Sequence, residues 1–270
     1  MKALPLLLAA LLAGGVAGAH EATPCGPYQV AFYETGLLYF ENAAGEHVGI
    51  DRDVVEEIAR RTGCVLDRIM ESRVRTWAGL ADARLDMTVS GIETPARQKF
   101  ARFIPYIASN RNYLVVRAAL GARVRTLEAF KADPSLRLGV VKSFAHGATL
   151  DPWIEALKLE GRVSEVADLE VLARVFAAGR IDAFLSQPIV WPPLLARNQL
   201  DGKVQILDVA PRDTAVLGLV LSRSRVSAAD ADRMRKAIEA MRADGTLETI
   251  ISRYVGKPLG RTLAARPAEN

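Results

Sequence analysis

The side chains of this 270-residue sequence best placed to do chemistry are cations, amides and aromatics, and the chemistry they suit is the holding of an anion. Ser90, Gly91 and Thr94 fall between the end of a β-favouring run, residues 86–90, and a short proline-led helix that carries Arg97. Open α/β lobes bind ligands just past the carboxyl ends of their strands, where free helix N–H groups face anions. A cation in a helix's first turn is opposed by the positive end of the dipole. An anion between the two resolves the conflict; a plain surface arginine is the alternative. Arg73, Arg75 and Trp77 follow another strand, so one of them lining the same pocket and a solvated basic face account for them equally. Tyr33 and Glu34 end the first strand, where a ring can stack on a ligand and a carboxylate can receive a cation. Ser143 and Phe144 precede a helix in the second half, with His146 as either a contact or a solvated residue.

Other chemistries find less support. The three histidines, His20, His47 and His146, are scattered, and the two cysteines lack the spacing of a metal knuckle, so no metal site or cofactor is expected. No nucleophile–base pair or phosphate loop stands out, and Glu34, Glu93 and His146 are the only candidate general acids near these segments.

The first 19 residues read differently. Lys2 is the only charge before Glu21, an apolar run spans Leu4 to Val16, and Ala17-Gly18-Ala19 supplies the small-x-small pattern of a cleavage site. Residues 1–19 are expected to be a secretory signal peptide, with an uncleaved anchor as the alternative. Cys25 follows Ala22-Thr23-Pro24, which lacks the aliphatic residue of a lipoprotein signal, so a soluble periplasmic protein is expected rather than a lipid-tethered one. In an oxidising compartment Cys25 and Cys64 are expected to join, two separate buried thiols being the other possibility. The net charge of +4, from 35 basic and 31 acidic residues, falls to +3 once Lys2 leaves. That small excess suits anionic small molecules and does not point to nucleic acid. With 50% hydrophobic and 24% charged residues, the chain can bury one large core or two smaller ones, which excludes disordered, collagenous and multi-span membrane classes.

The elements that must position these residues alternate. Tyr28 to Tyr33 reads as a strand. A helix then carries Ile50, Val54, Val55 and Ile58 on one face, with Asp53 and Glu56 at capping-box spacing and Gly63 as its stop. Strands at 65–70 and 86–90 flank a helix around 76–83, a βαβαβ unit whose crossovers make the sheet parallel. The pattern restarts after residue 115. Strands at 136–141, 163–166 and 181–185 enclose helices at 144–158 and 169–178. Tyr113–Val116 and Val216–Val220 read as strands crossing between two lobes. Two C-terminal helices follow, marked by Met234, Ile238 and Met241 and by Leu247, Ile250, Ile251 and Tyr254. The expected division is therefore residues 20–114 in lobe 1, 115–216 in lobe 2, 217–256 returning to lobe 1, and a mobile tail at 257–270.

Four stretches in order resemble the family 3 bacterial extracellular solute-binding proteins, the periplasmic receptors of polar amino-acid ABC transporters. They are Gly45–Asp53; Ser90–Arg97 with Phe103-Ile104-Pro105-Tyr106; Gly179-Arg180-Ile181-Asp182-Ala183; and Ala243–Leu247 with Ile250 and Tyr254-Val255-Gly256. The resemblance implies a two-lobed α/β Venus-flytrap fold, each lobe a mostly parallel sheet flanked by helices, with two hinge strands. It implies that Arg97 binds the ligand's carboxylate, for which paired guanidinium N–H donors are geometrically suited. It implies that the Ser143–Phe144 turn donates backbone N–H groups, and that the solute passes to an ABC permease.

One position departs from the family's pattern. Where the family commonly has an aspartate for the α-ammonium, this chain has Gln187, which accepts a hydrogen bond but supplies no counter-charge. The solute is then either a carboxylate without an amino group or one whose ammonium finds Glu34, and a surface role for Gln187 is open too. The expected function is capture of a small carboxylate-bearing solute by a monomer. An enzyme of the same fold, similar to cyclohexadienyl dehydratases, and a sensory or accessory receptor are the competing expectations.

Overall fold

The computed structural model describes residues 24–266, so the expected leader lies outside the described residues. Strand β1 (Tyr28–Phe32) leads through a small hairpin, β2 (Phe40–Glu41) and β3 (His47–Val48), into α1 (Ile50–Thr62). β4 (Leu66–Met70), α2 (Arg73–Ala81), β5 (Met87–Ile92), the single-turn α3 (Pro95–Gln98) and the ten-residue β6 (Ala101–Asn110) complete a first pass. The second pass holds β7 (Tyr113–Arg117), α4 (Leu127–Ala132), β8 (Leu138–Val141), α5 (Leu150–Leu159), β9 (Val163–Val166), α6 (Leu169–Ala177), β10 (Ala183–Ser186), α7 (Trp191–Arg197) and β11 (Val204–Leu207). β12 (Ala215–Ser222) returns to the first sheet, followed by α8 (Ala228–Ala243), α9 (Thr246–Val255) and α10 (Lys257–Ala264).

Two five-stranded sheets result, ordered β4-β1-β5-β12-β6 and β11-β7-β10-β8-β9, one in each lobe. Each has a parallel half, β4-β1-β5 in the first and β10-β8-β9 in the second, and an antiparallel half. Separate apolar cores follow from the amphipathic pattern. Val54, Val55 and Ile58 of α1 pack with Met234, Ile238 and Met241 of α8 and with the inner face of the first sheet, while Trp77 and Leu80 of α2 cover its other face. Phe130, Leu138 and Ile154 form one layer of the second lobe; Phe176, Phe184 and Leu194 form the other. Cys25 and Cys64 are joined in a disulfide, which ties the approach to β1 to the turn between α1 and β4.

Three sequence expectations change. Tyr113–Val116 is not a crossing strand: β7 pairs with β10 and β11 entirely within the second sheet. The strand leading to the crossing is β6, which pairs with the returning β12, and the chain passes between lobes at Arg111–Asn112. Arg111 holds the two crossings together by bonding the Pro211 carbonyl at 3.1 Å and the Asp208 carboxylate at 3.0 Å. Asp53 does not cap α1, whose N-cap is Gly49; it accepts instead from Tyr254 and Arg253 of α9. The stretch after residue 256 is not a loose tail, since α10 packs on α9 and β6 and buries Leu263 and Ala264; residues 267–270 lie outside the described residues.

Candidate functional site

The carboxyl ends of the strands in both sheets converge on a cleft of about 510 Å³ between the lobes. The residues after β1 (Tyr33 to Gly36) and after β4 (Glu71 to Arg73) form one wall; Val141 at the end of β8 and Phe144 beyond it, Asp168 to Glu170 at the start of α6, and Leu194 and Arg197 of α7 form the other. Each wall begins where a strand hands over to a turn or helix, so amides and caps face the gap. Ser72 caps α2 through the Arg75 N–H, and Asp168 caps α6 through the Val171 N–H at 2.8 Å.

The lobes touch around this cleft. The Leu37 N–H donates to the Ile189 carbonyl at 2.9 Å, and Ile189 and Val190 join the core of the first lobe. The Arg97 guanidinium lies 3.6 Å above the Trp77 ring, donates through Nη1 to the Ile92 carbonyl at 2.8 Å, and reaches across to the Ser143 carbonyl through Nη2 at 2.7 Å. Thr94 sets its position by capping α3 with its hydroxyl on the Arg97 N–H. Burial from water lowers the Arg97 pKa to about 10, with the neighbouring Arg73 charge acting in the same direction. Arg73 itself lies between the lobes, 4.2 Å from the Tyr33 ring centroid and 4.8 Å from that of Phe144.

The sequence-predicted residues are thus distributed. Tyr33, Glu34 and Phe144 line the cleft. Arg97, Trp77, Thr94 and Ser143 form the interlobe bridge beside it. Ser90 and Gly91 stand behind that bridge. Ser90 is buried with φ +48°; its hydroxyl bonds Asp51 at 2.7 Å, and its N–H donates to the Tyr106 hydroxyl at 2.8 Å. Tyr106 completes the triangle with a 2.6 Å bond to the same Asp51 oxygen. Gly91 is pressed between Trp77, Phe103 and Val220. Gln187, only 2% exposed, is no surface residue. Its carbonyl oxygen accepts from Asn110 at 2.7 Å, and it borders a small void with His146 and Ser186. Asn110 Oδ1, Asn112 Oδ1, Ser186 Oγ and Gln187 Nε2 are buried without protein partners, and of these residues Ser186 and Gln187 line the void. His146 is buried rather than solvated; burial lowers its pKa, while Asp151 at 3.4 Å opposes this.

Sequence reasoning missed the whole contribution of α6 and α7. Asp168 sits at the end of a strand and the start of a helix, the same signal that drew attention to Thr94, and would have found it. Glu34, Glu41 and His47 lie close enough to share an ion near the β2–β3 hairpin, the two carboxylates exposed and His47 half-buried.

The sequence matches the family model for bacterial extracellular solute-binding proteins, family 3, over residues 33–257. No curated protein matches. An ancestral arginine-binding protein bound to arginine superposes with a TM-score of 0.71 at 21% identity, over 85% of this chain and 98% of its own. The arginine-, lysine-, histidine-binding protein ArtJ from Geobacillus stearothermophilus gives 0.67 at 20% identity, over 85% and 95%. A histidine kinase sensor domain with similarity to periplasmic binding proteins gives 0.70 at 13% identity, over 85% and 96%. At these identities the likeness shows the shared two-lobed fold. No described helix is long and apolar enough to cross a membrane.

Proposed function

Since this chain belongs to the bacterial extracellular solute-binding proteins, family 3, we propose that it is an exported periplasmic receptor that closes on a small carboxylate-bearing solute and delivers it to an ABC-type permease. The observation that carries this reading is the half-buried Arg97 guanidinium bridging the two lobes beside a cleft of about 510 Å³. That volume is in the range of small-molecule sites, and the walls mix aromatic faces with a few polar groups.

A guanidinium carries five N–H donors, and Arg97 directs two at carbonyls. A carboxylate entering beside it exchanges a neutral acceptor for a charged one, roughly doubling the strength of each bond. Because Ser143 belongs to the second lobe and Arg97 to the first, anything held at this point biases the hinge toward closure. The ligand's affinity and the protein's shape are therefore coupled, as a receptor docking on a permease requires. Similar proteins solved with arginine or glutamine bound make amino acids the natural first probes.

The test is a thermal-shift screen of amino acids, keto acids and dicarboxylates on the purified protein, followed by calorimetry on the best hit. A solute that binds only the folded state raises the melting temperature with concentration. Recovery of that solute unchanged after long incubation supports a receptor; its conversion makes the protein an enzyme. Failure of every carboxylate to bind refutes the reading.

A further inference from the structure

Arg73 opens α2 and belongs to the first lobe, yet its guanidinium lies over the Tyr33 ring of that lobe at 4.2 Å and the Phe144 ring of the other at 4.8 Å. Two rings engaging its faces leave the in-plane N–H groups available, and the residue lines the cleft. The other charges around the cleft cancel or face water. Arg75 bonds Glu71 at 2.6 Å, and Arg197 bonds Glu170 at 2.8 Å. Asp168 is turned to the amides of α6, Arg174 is exposed, and Glu34 is exposed with His47 at 3.7 Å. Among the described residues, Arg73 is the cleft-lining ion that is half-buried and has no opposite charge within ion-pair distance. It also sits at the positive end of α2, where no acidic residue occupies the first turn, as none does in the first turn of α3 that carries Arg97. Two helix starts, each loaded with an arginine, thus stand one at the cleft and one at the bridge beside it. Like charges near one another repel, and a ligand that brings an anionic group to each relieves that repulsion.

We propose that Arg73 is a second anion anchor and that the solute carries two carboxylates, one for Arg97 and one for Arg73. The inference rests on the receptor reading above and narrows it to dicarboxylates and acidic amino acids. A solute with a cationic side chain is disfavoured, because the space between the Tyr33 and Phe144 rings already holds the protein's own guanidinium.

The experiment compares isosteric pairs that differ only in the second charge: L-glutamate against L-glutamine, and glutarate against its monoamide, with L-arginine as the cationic probe. Calorimetry is run on the wild type and on Arg73→Ala and Arg73→Gln, with circular dichroism to confirm folding. In the wild type, the doubly charged member of at least one pair should bind roughly 10- to 100-fold more tightly than its amide, the worth of a hydrogen-bonded charge pair. That preference should vanish in both variants. Whether glutamate or glutarate is the better ligand separates acidic amino acids from plain dicarboxylates, and either supports the proposal. Equal or tighter binding of the amide or of L-arginine by the wild type overturns it while leaving the receptor reading intact, and this comparison needs no variant to fold. A preference that survives the loss of Arg73 also overturns it. Binding of no carboxylate at all refutes the receptor reading, and this inference with it.

Discussion

Replacing Asp51 by asparagine should remove a pH dependence of folding between about pH 4 and pH 8. The carboxyl is 1% exposed. Burial raises its pKa from the ordinary 3.8 to about 7, against the opposing effects of the bonds from Tyr106 and Ser90 and the charge of Arg73. In the unfolded chain the group titrates near its ordinary value. A folded-state pKa above the unfolded one means the native protein holds the proton more tightly. The resulting stabilisation is complete below about pH 4 and is lost as the pH rises through about 7. Roughly three pH units at about 1.4 kcal/mol each put that loss on the order of 4 kcal/mol. Asparagine keeps the shape and one acceptor but does not titrate. Urea unfolding of both proteins should show the gap between them moving by several kcal/mol in favour of Asp51→Asn as the pH rises. Taking the difference cancels groups common to both, including His146, whose lowered pKa removes stability as the pH falls. A constant gap across the range would refute the reasoning, because Asp51 would then be ionised throughout in the folded protein.

Three further outcomes follow from the contacts described. Arg97→Ala should weaken binding of the acid selected by the screen by about 100-fold or more, measured by calorimetry, as a charged bidentate contact is lost. The melting temperature of the ligand-free protein should change little, since the two carbonyl bonds and the Trp77 stack are offset by the desolvation that lowers the Arg97 pKa. Gly36→Ala should hold the lobes apart: a methyl group there would fall 2.5 Å from the Val190 Cα and 2.6 Å from the Ile189 carbonyl, at a φ of +53°. X-ray scattering should show a larger radius of gyration and calorimetry at least tenfold weaker binding, with about 1–2 kcal/mol of backbone strain added. Cys25→Ser should lower stability by up to about 4 kcal/mol in urea unfolding, the chain-entropy value for the 39-residue separation that the disulfide spans.

Much of this architecture is written locally. The apolar face of α1 and the exact span of β9 are short-range patterns, and the structure reproduces them. β6 was hidden because Pro105 interrupts its alternation; a proline that cannot donate is tolerated there because β6 lies at the edge of its sheet. α10 was hidden because Pro258 and Gly260 read as breakers. Pro258 occupies the first turn, where its missing N–H costs nothing, and Gly260 lets α10 approach α9 so closely that a Cβ would meet Ser252 Oγ at 2.1 Å. At the site, residues at strand ends were legible from position alone: Tyr33, Glu34 and Phe144 reach the cleft, and Arg97 reaches the interlobe bridge. What position could not reveal was which polar groups would be taken by distant partners. Ser90 is taken by Asp51, 39 residues away, and Gln187 by Asn110, 77 residues away. Nor could it reveal which arginine would be left unpaired: Arg75 pairs locally with Glu71 at i,i+4 spacing, but the stacking of Arg73 on Phe144 depends on how two lobes meet.

The most direct test is a crystal structure of the protein grown with the carboxylic acid that gives the largest thermal shift. It should show a carboxylate oxygen within about 3 Å of a guanidinium nitrogen of Arg97, in the gap between the lobes. An acid seated outside that gap, with Arg97 touching only the carbonyls of Ile92 and Ser143, would contradict the account.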